Sequence, residues 1–158
     1  MRFTFDNFVA QLVCPNCGAV SPDDHSTMMS THIRVEPEMA YLGVGHELKF
    51  DLMTIDKCGY LVVRSPQLGE SIHILQTWSC PTCKNWPQWA EIVISNERIE
   101  SIASVPLNCV TLNCIHFIDD EVKDVVAALI GKNYAEIEDV CVIPILREVL
   151  TKSPSDPS

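Results

Sequence analysis

The chain is short of positive charge, of long apolar runs and of any catalytic constellation. Eleven Lys and Arg stand against 21 Asp and Glu, a formal net charge of −10. A chain this acidic repels the phosphate backbone, so bare nucleic acid and anionic membrane surfaces are poor partners; a basic protein is a good one. No apolar run approaches the roughly 18 residues of a membrane span. The first residues, Met1 to Phe8, lack the apolar stretch of a secretory signal, so a cytoplasmic setting is expected. No nucleophile–base pair, phosphate loop or open metal site is visible, which predicts a protein that is not an enzyme.

Within 158 residues, 47% are apolar and 20% charged, enough to bury a core without a disulfide framework. Short strands are expected over 8–13, ending at Cys14, over 31–35, 60–64 and 70–79, with a loop over 18–30. A hairpin pairs 91–95 with 98–105 around Asn96-Glu97, since Asn tolerates the positive φ of a two-residue turn. The stretch 39–53 carries no clear period. The last forty residues change character. Asp119 can cap a helix over 119–130, where Val122, Val125, Val126, Leu129 and Ile130 recur at helical spacing before Gly131. Residues 133–142 fit a capped helix start or a buried strand. Pro144 suits the first turn of a helix over 144–152. The reading is a single α+β domain over 1–152. Its β-rich antiparallel part spans 1–118 and its helical part 119–152, and the tail 153–158 is expected to be disordered.

Eight cysteines in a reducing compartment point to metal or redox chemistry before disulfides. Cys14-Pro15-Asn16-Cys17-Gly18 and Cys80-Pro81-Thr82-Cys83-Lys84 are two copies of one turn. Each brings two thiolates together, with backbone N–H groups aimed at the sulfurs. Proline pre-sets the turn, and glycine after the second cysteine permits the φ that closes it. Four sulfurs make the closed tetrahedral set of a structural zinc site, one ion per chain.

Through Cys14, Cys17, Cys80 and Cys83 the chain resembles the zinc-ribbon families. Zinc ribbons place each knuckle at the end of a strand and separate the pairs by roughly 15–20 residues. Here 62 residues separate Cys17 from Cys80, so the ribbon is interrupted by a long insertion. C-P-x-C also resembles the glutaredoxin turn, which implies a thiol–disulfide oxidoreductase. That chemistry needs a helix starting after the first Cys, whereas Lys84-Asn85-Trp86-Pro87 is not helical in character.

The remaining candidates are weaker. Cys109, Cys114 and His116 lie close in sequence and are candidates for a second metal, but their apolar neighbours favour buried core thiols. Cys58 and Cys141 read as small core residues. His25, His32, His46 and His73 show no ligand spacing, and each is only a minor candidate to replace a cysteine at zinc. Trp78, Trp86 and Trp89 flank the second knuckle and read as cover for the metal, with one left exposed. Residues 119–158 hold nine acidic and four basic side chains against twelve and seven over 1–118, so a quarter of the chain carries half the net charge. Asp119, Asp120, Glu121 and Asp124 form its densest cluster, readable as helix capping or as a steering surface. In size and charge the chain resembles the immunity proteins of bacterial polymorphic-toxin systems, including the rearrangement-hotspot type. That implies an inhibitor of a basic toxin or nuclease. The alternative is a nucleic-acid or transcription-associated zinc ribbon, which would need a basic patch such as Arg64, Lys84 and Arg98.

Overall fold

The computed structural model describes residues 6–34, 39–48, 60–132 and 139–152. The fold is α+β, with two sheets and a helical C-terminal part. The smaller sheet has the order β2-β1-β3, from Asp6–Phe8 (β1), Met29–Thr31 (β2) and Tyr41–Leu42 (β3). The larger has the order β4-β8-β5-β6-β7. Its strands are Leu61–Val62 (β4), Ile72–Trp78 (β5), Gln88–Ser95 (β6), Arg98–Val105 (β7) and Phe117–Ile118 (β8). The pairing is mixed where antiparallel sheets were expected, because β1 runs parallel to β3 and β5 parallel to β8.

Side-chain alternation makes the larger sheet a wall between two cores. Ile74 and Trp78 of β5, Ala90, Ile92 and Ile94 of β6 and Phe117 of β8 face one core, with Phe8, Met29 and Leu42 of the smaller sheet. Leu75, Trp89 and Ile118 face the other, under Val122, Val125, Val126, Val142, Ile143 and Leu146. A register shift between Val93 and Ile94 lets both Ile99 and Ile102, three residues apart, reach the first core.

The β6–β7 hairpin closes at Asn96 (φ 54°) and Glu97 (φ 59°), the double positive φ of a tight hairpin turn. The expected helix 119–130 is a 3-10 turn, Asp120–Val122, leading into helix α2, Lys123–Leu129. Asp119 accepts the Glu121 N–H at 3.0 Å, and Gly131 takes the closing positive φ of 72°.

Several boundaries differ from the sequence reading. The first strand covers 6–8 instead of 8–13. Its polar Asp6-Asn7 start is buried because Arg34 forks onto both Asp6 carboxylate oxygens at 2.9 Å, and Ala40 N–H donates to Oδ1. The strand expected over 31–35 ends at Thr31. The expected loop 18–30 holds a 3-10 turn at His25–Thr27, capped by Asp24. Helix α1, Cys109–Cys114, was not anticipated; Asn108 caps it by accepting from Thr111 N–H. The last helix, α3, spans Asp139–Lys152, so Pro144 lies inside it and not at its start. The missing proline N–H removes one bond near the helix start, while Val142, Ile143 and Leu146 anchor the helix in the core. The expectations for 133–138, the tail and Cys58 fall outside the described residues, as does the side chain of Cys141.

Candidate metal centre

Cys14, Cys17, Cys80 and Cys83 converge, with all four sulfurs within 4.8 Å of one another. Two contacts run between the knuckles, Cys14 Sγ to Cys83 Sγ and Cys17 Sγ to Cys80 Sγ, both 3.7 Å. A tetrahedron with metal–sulfur bonds of about 2.3 Å has sulfur–sulfur edges of about 3.8 Å. The four thiols therefore fit a zinc ion, and a disulfide, at about 2.05 Å, is not what holds them together.

The two knuckles repeat one backbone pattern. Gly18 N–H donates to Cys14 O and Lys84 N–H to Cys80 O, both at 2.8 Å; Cys14 N–H reaches Ala19 O at 2.9 Å and Cys80 N–H reaches Asn85 O at 3.2 Å. Cys17 N–H lies 3.4 Å from Cys14 Sγ, and Cys83 N–H lies 3.5 Å from Cys80 Sγ. Lys84 holds φ 63° where Gly18 holds 78°, so the second turn takes the same left-handed residue without a glycine.

Their supports differ. The second knuckle joins β5 to β6, two long paired strands. The first sits on a single bridge, Val13 to Val20, not at the end of the expected strand. Ser79 N–H donates to Thr27 O at 2.9 Å, tying the strand before Cys80 to the loop after Cys17. Cys14 and Cys80 are buried, Cys83 half-buried and Cys17 exposed.

Donors around the sulfurs set their acidity. Burial opposes the Cys14 thiolate, but the N–H groups of Cys17 and Asn16 lead the contacts that bring its pKa down to about 6. At Cys17 the Ala19 N–H lowers the pKa, but burial and hydrogen bonding with the Cys80, Cys14 and Cys83 thiols outweigh it and raise it to about 11. The Asn16 side-chain amide, 3.4 Å from Cys83 Sγ, leads the groups that lower the Cys83 pKa. Asn16, the free position inside the first C-P-x-C, and Gln88 are contacts that the cysteine spacing alone did not reveal.

No helix starts at either pair: residues 15–17 and 81–83 are turns, and 84–87 lead into β6. The redox reading lacks the helix dipole it needs. Cys109, Cys114 and His116 are not brought together among the described residues. Cys109 and Cys114 are not the core thiols expected: Cys109 is half-buried against Arg147 O and Thr151, and Cys114 is exposed. His116 is buried, its Nδ1 accepting from His73 N–H at 3.0 Å. The other histidines stay away from the sulfurs. His32 pairs with Glu121 and His73 with Glu91, both at 2.8 Å; His25 stacks on Tyr41; His46 Nδ1 contacts Glu47 O. Of the tryptophans, Trp78 is buried, donating to Trp89 O at 3.2 Å, and Trp86 is 52% exposed.

The acidic cluster divides. Asp119 is fully buried, so it does not belong to any steering surface. Thr31 and Tyr60 donate to its Oδ2 at 2.7 and 2.9 Å. Burial raises its pKa to about 7 against those hydrogen bonds. Asp120 is half-buried, with Lys123 Nζ 3.6 Å away, while Glu121 and Asp124 are exposed. Arg64 is paired with Glu70 at 3.1 Å and Arg98 donates to Gly45 O at 3.2 Å.

No protein-family model, curated protein or solved structure matches this chain. Among the described residues no helix is long and apolar enough to cross a membrane.

Proposed function

We propose that this chain is a zinc-held protein-interaction module that engages a basic partner, most concretely as an immunity-type inhibitor of a toxin or nuclease. The observation that carries the zinc half is the four-thiol cluster, whose 3.7 Å sulfur separations suit a closed tetrahedron. Such a site leaves no position for a substrate or water, so the metal would hold structure and not perform chemistry. The partner half is supported by the net charge of −10 and by Glu121 and Asp124 standing exposed beside the start of α2.

The test is co-expression with the protein encoded beside this one, scored by survival and by complex formation. Survival with a stable complex supports the inhibitor reading. Reversing Asp120, Glu121 and Asp124 to Lys should then slow association by roughly tenfold at low salt, because steering charges act on encounter. A chain that instead bound duplex nucleic acid, with affinity falling steeply as salt rises, would be a nucleic-acid module and would overturn it.

A further inference from the structure

Between the second knuckle and α2 lies a groove of about 300 Å³, lined by Trp86, Pro87, Val125, Ala128, Leu129 and one charged side chain, Asp124. Its two walls have different origins. Trp86 leaves the sulfur cluster three residues after Cys83, and the turn before it is pinned by Cys80 N–H on Asn85 O. The opposite wall is α2, anchored through Val125 and Val126 in the helix-side core. Across the groove, Trp86 is 52% and Leu129 40% exposed, large apolar surfaces of the kind that mark contact sites when they adjoin.

The charges around it single out Asp124. Asp120 has Lys123 beside it and Glu121 has His32. Among the described residues no basic side chain pairs with Asp124, whose Oδ1 accepts only the neighbouring Val125 N–H at 2.9 Å. An unpaired carboxylate at the edge of an aromatic and aliphatic groove is complementary to a cation adjoining an apolar side chain.

We propose that this groove docks a short segment of the partner protein in which one apolar side chain, seated between Trp86 and Leu129, adjoins a Lys or Arg that meets Asp124. The inference rests on the reading of a basic partner and places the centre of that contact. Because one wall is carried by the second knuckle, docking also depends on the metal that holds the knuckle.

A displayed random-peptide library panned on the full metal-loaded chain tests this, followed by two synthetic probes, Ac-GRLFRG-NH2 and Ac-GELFEG-NH2. Enriched peptides should pair an apolar residue with a neighbouring Lys or Arg, and the Arg-flanked probe should bind more tightly than the Glu-flanked one. W86A should weaken the Arg-flanked probe at least ~30-fold, the scale of an aromatic hot spot. D124N should weaken it by roughly fivefold and flatten its salt dependence. Both side chains are exposed, so neither change should unfold the chain; circular dichroism and melting check that. Chelation should lower probe affinity in the wild type.

Three results overturn the groove. Basic peptides that bind equally to wild type and W86A place the contact elsewhere and leave the basic-partner reading standing. A concentration-dependent dimer abolished by W86A makes a second copy the occupant. A library yielding acidic peptides, or none, removes both the groove and the basic partner.

Discussion

The two faces of the five-stranded sheet are stabilised by different means. On the helix side, Leu75 and Ile118 meet Val122, Val126 and Leu146 in an aliphatic core, and burial alone accounts for the packing. On the sulfur side the partner sheet has strands of three, three and two residues. Strands this short are marginal by themselves. Their neighbourhood is cross-linked instead, by the Arg34–Asp6 fork and by the four thiols that tie the Val13–Val20 bridge to the β5–β6 connection. A face built from short segments is fastened by polar and thiol contacts, whereas the face covered by helices packs through apolar side chains.

The largest expected effect follows from that contrast. Protein purified without added metal should carry one equivalent of zinc. Cys80→Ser should lower unfolding free energy by several kcal/mol, because metal affinity is part of folding. Hydrogen exchange should separate the faces: on chelation, amides around Cys14 and Val20 should lose protection first, and those of α2 last. Equal loss on both sides would erase the distinction and make the chain one cooperative unit. Less than half an equivalent of zinc, with both pairs recovered as disulfides, would remove the fastener itself.

The next effect lies where the two faces meet. Asp119 follows β8 and caps the turn into α2, yet its Oδ2 accepts from Thr31 of β2 and from Tyr60. Asp119→Ala would remove the acceptor that Thr31 and Tyr60 share, leaving their hydroxyls, 2.7 Å apart, only each other, and should cost roughly 1–3 kcal/mol. Its pKa rises from 3.8 to about 7 on folding, so between those values the folded state binds the extra proton. The Asp119 contribution is therefore most favourable below the ordinary carboxylate range, falls as pH rises through the window, and is level above it. Asp119→Asn offers an amide to the two hydroxyls and an oxygen to Glu121 N–H, so it should fold and lose this slope. A stability profile from pH 4 to 7 that Asp119→Asn leaves unchanged would show that Asp119 titrates normally.

Local chemistry was legible in the sequence; long-range pairing was not. The paired C-P-x-C turns, the Asn96-Glu97 hairpin and the helix closed by Gly131 each depend on a few adjacent residues, and all three appear. That Cys14 meets Cys83 across 69 positions was legible only because a tetrahedral metal demands four ligands. The parallel β5–β8 pairing left no local signature. Asp119 reads in sequence as a helix cap or a steering charge, but it is buried with distant partners, Thr31 and Tyr60, just as Asp6 is buried with Arg34. Pro144 resembles a helix start, yet five helical residues precede it. The apolar neighbours of Cys109 and Cys114 suggested a core, but the short helix α1 turns Cys109 onto Arg147 and Thr151 of α3 and leaves Cys114 exposed.

The smallest expected effect tests whether the knuckles are equivalent in their own turns, apart from the sheet around them. Gly18 and Lys84 occupy the same left-handed position, at φ 78° and 63°, and their N–H groups make the same 2.8 Å bond back to the first cysteine. A side chain in that region costs roughly 1–2 kcal/mol, which glycine avoids in the folded state at some cost in unfolded-chain entropy. Lys84→Gly should therefore stabilise the protein by up to about 1 kcal/mol. A Cβ at Gly18 would meet nothing within 4 Å, so Gly18→Lys should cost about the same through backbone conformation alone. The exchanged double variant should then sit close to wild type, since the changes act on separate turns. Denaturant midpoints of the four proteins, compared at saturating zinc, read this directly. A Lys84→Gly variant less stable than wild type would mean that the Lys84 side chain contributes a favourable interaction with no counterpart at Gly18, and that the two knuckles differ in chemistry as well as in support.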